Sequence, residues 1–172
     1  MAIERPGGTT MRGNPLTLVG PQLKAGDPAP DFTVTGNDMK PVSLSDSAGK
    51  VRIICAIPSV DTPVCDTETR KFNQEAAALG DVKILTISCD LPFAQKRWCA
   101  AAGIDKVVTL SDYRDRAFGT AYGTLIKELL IESRAVFVVD QSGTLRYVEY
   151  VPEVAQEPNY AAAIEAAKKL GS

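Results

Sequence analysis

The amino-acid sequence predicts an α/β fold in which a central mixed sheet is flanked by helices. Short apolar runs of the kind that form buried strands alternate with longer segments typical of helices, and glycine follows several of these segments. A strand–turn–strand pattern near the C-terminus predicts an antiparallel hairpin. The length of 172 residues and an apolar content of 45% fit a single domain with a sizeable core.

The N-terminal part of the chain is predicted to be a tail followed by short strands. Residues 1–11 are expected to form a flexible tail, because their prolines, glycines and polar side chains bury little. Residues 16–19 and 31–35 predict strands, separated by a turn-rich stretch. Residues 42–46 fit either an edge strand or the first turn of a helix. One folded domain is expected over residues 12–172.

The rest of the chain carries the alternation of strands and helices. Strands are predicted at residues 51–57, 83–88, 107–110, 135–140 and 144–150. Helices are predicted at residues 63–79, 92–102, 114–122 and 159–170. This order favours a thioredoxin-like fold with an N-terminal β extension, and the pattern alone leaves a flavodoxin-like sheet open.

Composition and charge exclude several classes of function. The formal net charge of -2 gives no electrostatic reason to expect nucleic acid or an anionic membrane as a partner. No apolar run approaches the roughly 18 residues of a membrane span. Residues 1–14 lack the apolar segment of a secretory signal. We therefore expect a soluble, cytoplasmic protein.

The sequence contains no histidine. This excludes Ser-His-Asp and Cys-His catalysis, and it excludes metal sites that use histidine. The four cysteines are Cys55, Cys65, Cys89 and Cys99. No two of them form a C-x-x-C pair, so neither a four-cysteine metal site nor a thioredoxin-type reductase is expected. No cofactor and no metal are predicted, and Cys55 and Cys89 are interpreted as structural residues.

Cys65 is the candidate nucleophile because of its place at a predicted helix start. Thr62 suits the N-cap position and Pro63 the first helical position, which puts Cys65 in the first turn. Unpaired backbone N–H groups and the positive end of the helix dipole favour an anion there. A nucleophilic cysteine must become a thiolate, and helix N-termini favour that form.

A nearby cation would strengthen this effect, and the sequence offers three. Arg70 and Lys71 lie further along the same predicted helix, whereas Arg134 precedes a predicted central strand. Sequence alone does not choose among them. The alternative interpretation of Cys65 is an ordinary half-buried residue, since free cysteine usually behaves as a small apolar side chain.

Cys99 favours the reactive interpretation of Cys65. It lies near the C-terminal end of the second long helix, a few residues before Gly103. Helix ends fray at little cost, so Cys99 could leave its site and meet an oxidised Cys65. On its own, Cys99 would be interpreted as a packing residue beside Trp98.

Two motifs are specific enough to indicate a family. Residues 58–65 read PSVDTPVC, which matches the pattern P-x-x-x-T-x-x-C, and residues 90–99 read DLPFAQKRWC. These segments resemble the active-site motif and the resolving-cysteine helix of the thiol peroxidase subfamily of peroxiredoxins, the atypical two-cysteine peroxiredoxins. Nearly the whole chain beyond the predicted tail resembles that subfamily, including residues 12–17, 70–73, 121–123 and 151–160.

The resemblance implies a role for each matching residue. It implies that Cys65 is the peroxidatic cysteine and that the hydroxyl of Thr62 contacts its thiolate and the peroxide. It implies that Pro58 shields the sulfur from water and that Arg134 stabilises the thiolate and polarises the peroxide. Cys99 matches the resolving cysteine, which closes a disulfide with Cys65 within one chain.

The resemblance also implies an activity and partners. The expected enzyme reduces hydrogen peroxide and alkyl hydroperoxides to water and alcohols, is recycled by thioredoxin and forms a homodimer. A disulfide needs Cα atoms within about 7 Å, so cysteines on two helices require local unfolding to join. Two alternatives stay open: a peroxide sensor that uses the same cysteine pair, and a thioredoxin-fold protein with inert cysteines.

Overall fold

The computed structural model describes residues 2–171 of the chain. Its strands are β1 (Glu4–Met11), β2 (Asn14–Val19), β3 (Thr33–Thr35), β4 (Pro41–Ser43), β5 (Arg52–Ala56), β6 (Lys83–Ser88), β7 (Val107–Ser111), β8 (Leu125–Ile126), β9 (Ile131–Glu132), β10 (Ala135–Val139) and β11 (Leu145–Tyr150). Its helices are α1 (Pro63–Ala76), α2 (Pro92–Ala102), α3 (Ala117–Tyr122) and α4 (Tyr160–Gly171). In this range, no helix has the length and apolar character needed to span a bilayer.

The main sheet has seven strands in the order β11-β10-β5-β6-β7-β3-β4. The central strands β5, β6 and β7 are parallel, whereas β10 pairs antiparallel with β5 and β11 antiparallel with β10. All residues of β5 and β10 are buried. Their short apolar runs fit this position, because a central strand covered on both faces has no polar side to show. The predicted α/β fold with a central mixed sheet is therefore confirmed.

Helices cover both faces of this sheet. Phe72 of α1 and Ile164 of α4 pack with Val136 of β10 in one apolar core. On the opposite face, Phe118 and Tyr122 of α3 pack with strand residues in a second apolar core. The side chains of β10 alternate between these two cores, as the two-residue period of a strand requires.

A second, antiparallel sheet in the order β1-β2-β8-β9 contains the N-terminus. The prediction of a flexible tail over residues 1–11 is wrong, because residues 4–11 form β1; residue 1 lies outside the described residues. Thr9 is buried, and the Arg5 guanidinium lies 5.1 Å from the centre of the Tyr150 ring. The pairing of β1 with β2 shifts register between Arg5 and Thr9, where Gly7 has a φ of +70°. The glycines that suggested disorder instead form a β-bulge.

Three smaller differences from the predicted elements have local causes. Residues 42–46 combine both expected forms, since β4 ends at Ser43 and a 3₁₀ turn follows at Leu44–Ser47. Helix α3 begins at Ala117, three residues later than predicted, with Arg116 in a left-handed conformation before it. Strands β8 and β9 have two residues each, too few for a period to show in the sequence.

The topology brings three chain segments to one edge of the main sheet. Strand β5 ends at Ala56, and its parallel neighbour β6 ends at Ser88. Strand β10 runs the opposite way and pairs Ala135 with Ala56, so Arg134 enters the sheet where β5 leaves it. Polar residues that follow β5 and precede β10 therefore meet at the carboxyl edge of the parallel strands, where sites in such sheets gather.

Candidate active site

The first turn of α1 holds Cys65 as the sequence predicts. Thr62 is the N-cap, and its Oγ1 accepts a hydrogen bond from the backbone N–H of Cys65 at 3.4 Å. Pro63 occupies the first turn, where a missing N–H costs nothing. The Cys65 side chain is fully buried. Its sulfur therefore lies at the positive end of a helix and away from bulk water.

Arg134 supplies the cation beside this thiol. Its Nη2 donates to Cys65 Sγ at 3.1 Å. The other two candidates are engaged elsewhere: Arg70 Nε donates to Asp66 Oδ2 at 2.8 Å, and Lys71 Nζ lies 4.4 Å from the centre of the Tyr160 ring. The positive charge that faces the Cys65 sulfur thus comes from a segment distant in sequence.

Two further contacts hold the Arg134 guanidinium in place. Its Nε donates to the carbonyl of Val154 at 2.9 Å, and its Nη1 donates to Glu68 Oε2. Burial lowers the pKa of Arg134, but Glu68 and Cys65 outweigh this and raise it above its ordinary value. Arg134 therefore stays charged although its side chain is only 1% exposed.

Glu68 is the residue of this cluster that the sequence interpretation missed. It lies three residues after Cys65, on the same face of α1, and is fully buried. Burial raises its pKa to about 7, although Arg134 opposes this shift. Burial of the negative charge of Glu68 is thus unfavourable unless Arg134 stays beside it. The sequence did contain a signal for Glu68: it lies three residues after the candidate nucleophile, a spacing that puts both side chains on one face of the helix.

An apolar shell encloses the sulfur of Cys65. Ile57 and Val60 pack against Cys65, and Trp98 of α2 closes the cluster. The Trp98 Nε1–H donates to Asp66 Oδ1 at 3.1 Å, which ties α2 to the first turns of α1. Pro58 is buried in the same loop, next to Ile57. Water is thereby excluded from the sulfur in this closed arrangement.

Cys99 has separate surroundings on α2. Its half-buried side chain places Sγ 3.3 Å from Thr109 Oγ1 of β7. Burial raises the pKa of the Cys99 thiol, and the bond to Thr109 opposes this. Cys65 and Cys99 are both free thiols with different polar partners. The structure thus assembles Cys65, Thr62 and Arg134 in one cluster and leaves Cys99 outside it.

The remaining cysteines sit in settings that suit structural roles. Cys55 is fully buried in β5, and burial raises the pKa of its thiol. Cys89 follows β6 and donates to Glu132 Oε1 at 3.6 Å; burial and the carboxylates of Glu132 and Asp112 raise its pKa. Over residues 2–171, no three histidine, cysteine, aspartate or glutamate side chains cluster in a way that could hold a metal ion.

Comparison with known proteins places this chain in a family. The Redoxin family profile matches residues 24–164, most of the chain. The chain belongs to the Redoxin family. A thiol peroxidase from Bacillus subtilis is 60% identical over 94% of this chain and 96% of its own length. A thiol peroxidase from Halalkalibacterium halodurans is 58% identical over 92% of this chain and 96% of its own length.

Solved structures of redoxins agree with this placement. The crystal structure of a peroxiredoxin-like protein from Aquifex aeolicus superposes with a TM-score of 0.89, shares 42% identity and covers 98% of both chains. The predicted thioredoxin-like fold and membership of the thiol peroxidase subfamily are therefore confirmed. The prediction of an enzyme, a peroxidase among the oxidoreductases, is confirmed as well.

Proposed function

We propose that this redoxin reduces hydrogen peroxide and alkyl hydroperoxides with Cys65 as the attacking group. The observation that carries the proposal is the contact of Arg134 Nη2 with Cys65 Sγ, 3.1 Å apart, at the N-terminus of α1. Fixed positive charge at that point stabilises a negative sulfur, and it also stabilises negative charge on an oxygen that leaves beside it. Arg134 is the first donor we assign to this role. The Thr62 hydroxyl, which donates to the carbonyl of Ser59 in this structure, is the second and has to turn from that carbonyl to the peroxide.

The first step converts a thiol and a peroxide into a sulfenic acid and an alcohol. The Cys65 thiolate attacks one peroxide oxygen, the O–O bond breaks and an S–O bond forms. The departing oxygen takes up the proton that the thiol released, which gives an alcohol, or water from hydrogen peroxide. Pro58 and the apolar shell around Cys65 keep bulk water from the reacting sulfur.

The second step joins Cys65 to Cys99. The Cys99 sulfur attacks the sulfenic acid, an S–S bond forms and water leaves. The two sulfurs start with different partners, so at least one must leave its partner, and we assign this movement to local unfolding at a helix end. Helix α2 suits this movement, because it ends at Ala102, three residues after Cys99, and is followed by Gly103, whose φ is +69°. Its last turn gives up few bonds on opening.

The third step returns the enzyme to its reduced form. We assign thioredoxin as the reductant: its dithiol takes over the disulfide and leaves Cys65 and Cys99 as thiols. This cycle fits the cytoplasm, where thioredoxin keeps protein thiols reduced. We further propose that the working enzyme is a homodimer.

A coupled assay tests this function. Purified protein, thioredoxin, thioredoxin reductase and NADPH are mixed with hydrogen peroxide or cumene hydroperoxide, and NADPH oxidation is followed. Wild type should turn over, and Cys65→Ser should reduce the rate to background. Cys89→Ser makes the same change outside the candidate site and should retain turnover. Full turnover by Cys65→Ser would contradict the assignment of the nucleophile.

A further inference from the structure

Asp90 fixes the loop that precedes Cys65. It lies between β6 and α2, and its carboxylate accepts three hydrogen bonds. Ser59 Oγ donates to Oδ1 at 2.7 Å, the backbone N–H of Val60 donates to Oδ2 at 2.9 Å, and Ser88 Oγ donates to Oδ2 at 2.6 Å. An ionised carboxylate only accepts hydrogen bonds, so each of the three donors has a suitable acceptor. Hydrogen bonds to a charged acceptor are stronger than those between neutral groups.

From Ser59 the hydrogen bonds continue to the candidate nucleophile. The backbone N–H and the hydroxyl of Thr62 both donate to the carbonyl of Ser59, each at 3.3 Å. Thr62 Oγ1 in turn accepts from the N–H of Cys65. The orientation of the Thr62 hydroxyl therefore depends on where Asp90 holds Ser59.

From Ser88 the hydrogen bonds continue to the helix that carries Cys99. Gln95 Nε2 donates to Ser88 Oγ at 3.0 Å and to the carbonyl of Leu110 at 2.8 Å. Gln95 is buried within α2, and Cys99 lies one helical turn further along. One continuous path thus joins the helix of Cys99 to the first turn of the helix of Cys65.

We infer that Asp90 is a positioning residue for both steps of the proposed reaction. It holds the loop in the arrangement in which Cys65 meets peroxide, and its bonds to that loop break as the disulfide with Cys99 forms. This inference rests on the proposed function, because that function assigns the roles of the two cysteines. We take the first turn of α1 to move together with the fraying last turn of α2 when the disulfide forms. A movement that separates the first turn of α1 from the end of β6 must break the bonds of Asp90 to Ser59 and Val60.

Stopped-flow fluorescence separates the two steps. Trp98 is the only tryptophan in the chain and packs in the cluster around Cys65, so it reports on both. The rate of Cys65 oxidation is proportional to peroxide concentration, whereas the rate of disulfide formation is independent of it. Asp90→Asn replaces one acceptor oxygen by an amide that faces a donor. We expect the second-order rate constant of Cys65 oxidation to fall about tenfold and the rate constant of disulfide formation to rise.

Matched variants separate positioning from general damage. Asp61→Asn makes the same change in the same loop, at an exposed carboxylate with no side-chain partner in residues 2–171. It should leave both rate constants within about twofold of wild type. Ser59→Ala removes one donor to Asp90 and should repeat the effect of Asp90→Asn more weakly. Ser59→Thr keeps the hydroxyl and should restore both constants. Urea unfolding establishes that each variant is folded.

The direction of the two changes decides the inference. Opposite changes in Asp90→Asn or Ser59→Ala support it, whereas unchanged constants, or a parallel fall of both, overturn it. Gln95→Met removes the donor to Ser88 and should speed disulfide formation; an unchanged constant overturns the link to α2. A wild type without a peroxide-dependent phase contradicts the proposed function itself, and this outcome is distinct from any effect of the variants.

Discussion

Replacing Glu132 by glutamine should remove a large loss of stability that the protein suffers as pH rises. Glu132 is fully buried at the end of β9, two residues before Arg134. It accepts a hydrogen bond from Thr124 and shares another with the carboxyl group of Asp112. Burial, reinforced by the charge of Asp112, raises the pKa of Glu132 from 4.5 to about 8. At neutral pH the folded protein therefore keeps this carboxyl protonated, and it donates to Asp112.

The sign and size of the effect follow from proton linkage. Between the two pKa values the folded protein binds a proton at Glu132 that the unfolded chain has released, so the free energy of unfolding falls as pH rises. The loss begins near the unfolded value and is complete above about pH 8. A rise from 4.5 to about 8 at ~1.36 kcal/mol per pH unit corresponds to several kcal/mol, which Glu132 shares with the carboxyl group of Asp112, and most of it falls between pH 5 and pH 8.

Urea unfolding at several pH values measures this effect. Glutamine has the shape of protonated Glu132 and still donates to Asp112, but it does not titrate. Glu68, whose pKa is also raised, contributes to the pH dependence of both proteins and cancels in the comparison. Asp112, whose pKa burial also raises, bonds to residue 132, so the comparison reports on the pair. Relative to wild type, Glu132→Gln should therefore gain several kcal/mol from pH 5 to pH 8. Two stability curves that run parallel over this range would refute the reasoning.

Three further predictions concern the candidate site and its supports. Arg134→Met removes the donor to Cys65 and should slow its oxidation by peroxide about 100-fold in stopped-flow measurements; an unchanged rate would show that the guanidinium is not used. Cys99→Ser should consume one equivalent of peroxide per chain and then stall with thioredoxin, whereas sustained turnover would exclude Cys99 as the resolving residue. In Gly119→Ala the new Cβ would lie 2.6 Å from Glu132 Oε1, so urea unfolding should show a loss of about 1–3 kcal/mol, and wild-type stability would contradict the packing described.

The elements that local sequence determines were the predictable part. The start of α1 follows from Thr62 and Pro63, because an N-cap hydroxyl and a proline act within one turn. The buried strands follow from their continuous apolar runs. Strand β1 escaped prediction because its pairing with β2 and its bulge are tertiary features, and the same glycines occur in disordered tails.

The sequence predicted several residues of the candidate site, but not the contacts that join them. Arg134 meets Cys65 only because β10 pairs antiparallel with β5, and no local pattern states that register. Glu68 and Asp90 were missed for the same reason, since their partners Arg134 and Ser59 lie 66 and 31 residues away. A resemblance identifies the residues that match a motif, whereas the residues that hold them in place are found only from tertiary contacts.

The oxidation of Cys65 by peroxide is the event on which this account depends, and mass spectrometry detects it directly. Reduced Cys99→Ser protein is treated with one equivalent of hydrogen peroxide in the presence of dimedone, which traps sulfenic acids, and then digested. Because no Lys or Arg separates Cys55 from Cys65, fragmentation of each peptide assigns the adduct to a residue. We expect a dimedone adduct on Cys65 and none on Cys55 or Cys89. An unmodified Cys65, or an adduct confined to Cys89, would contradict this expectation.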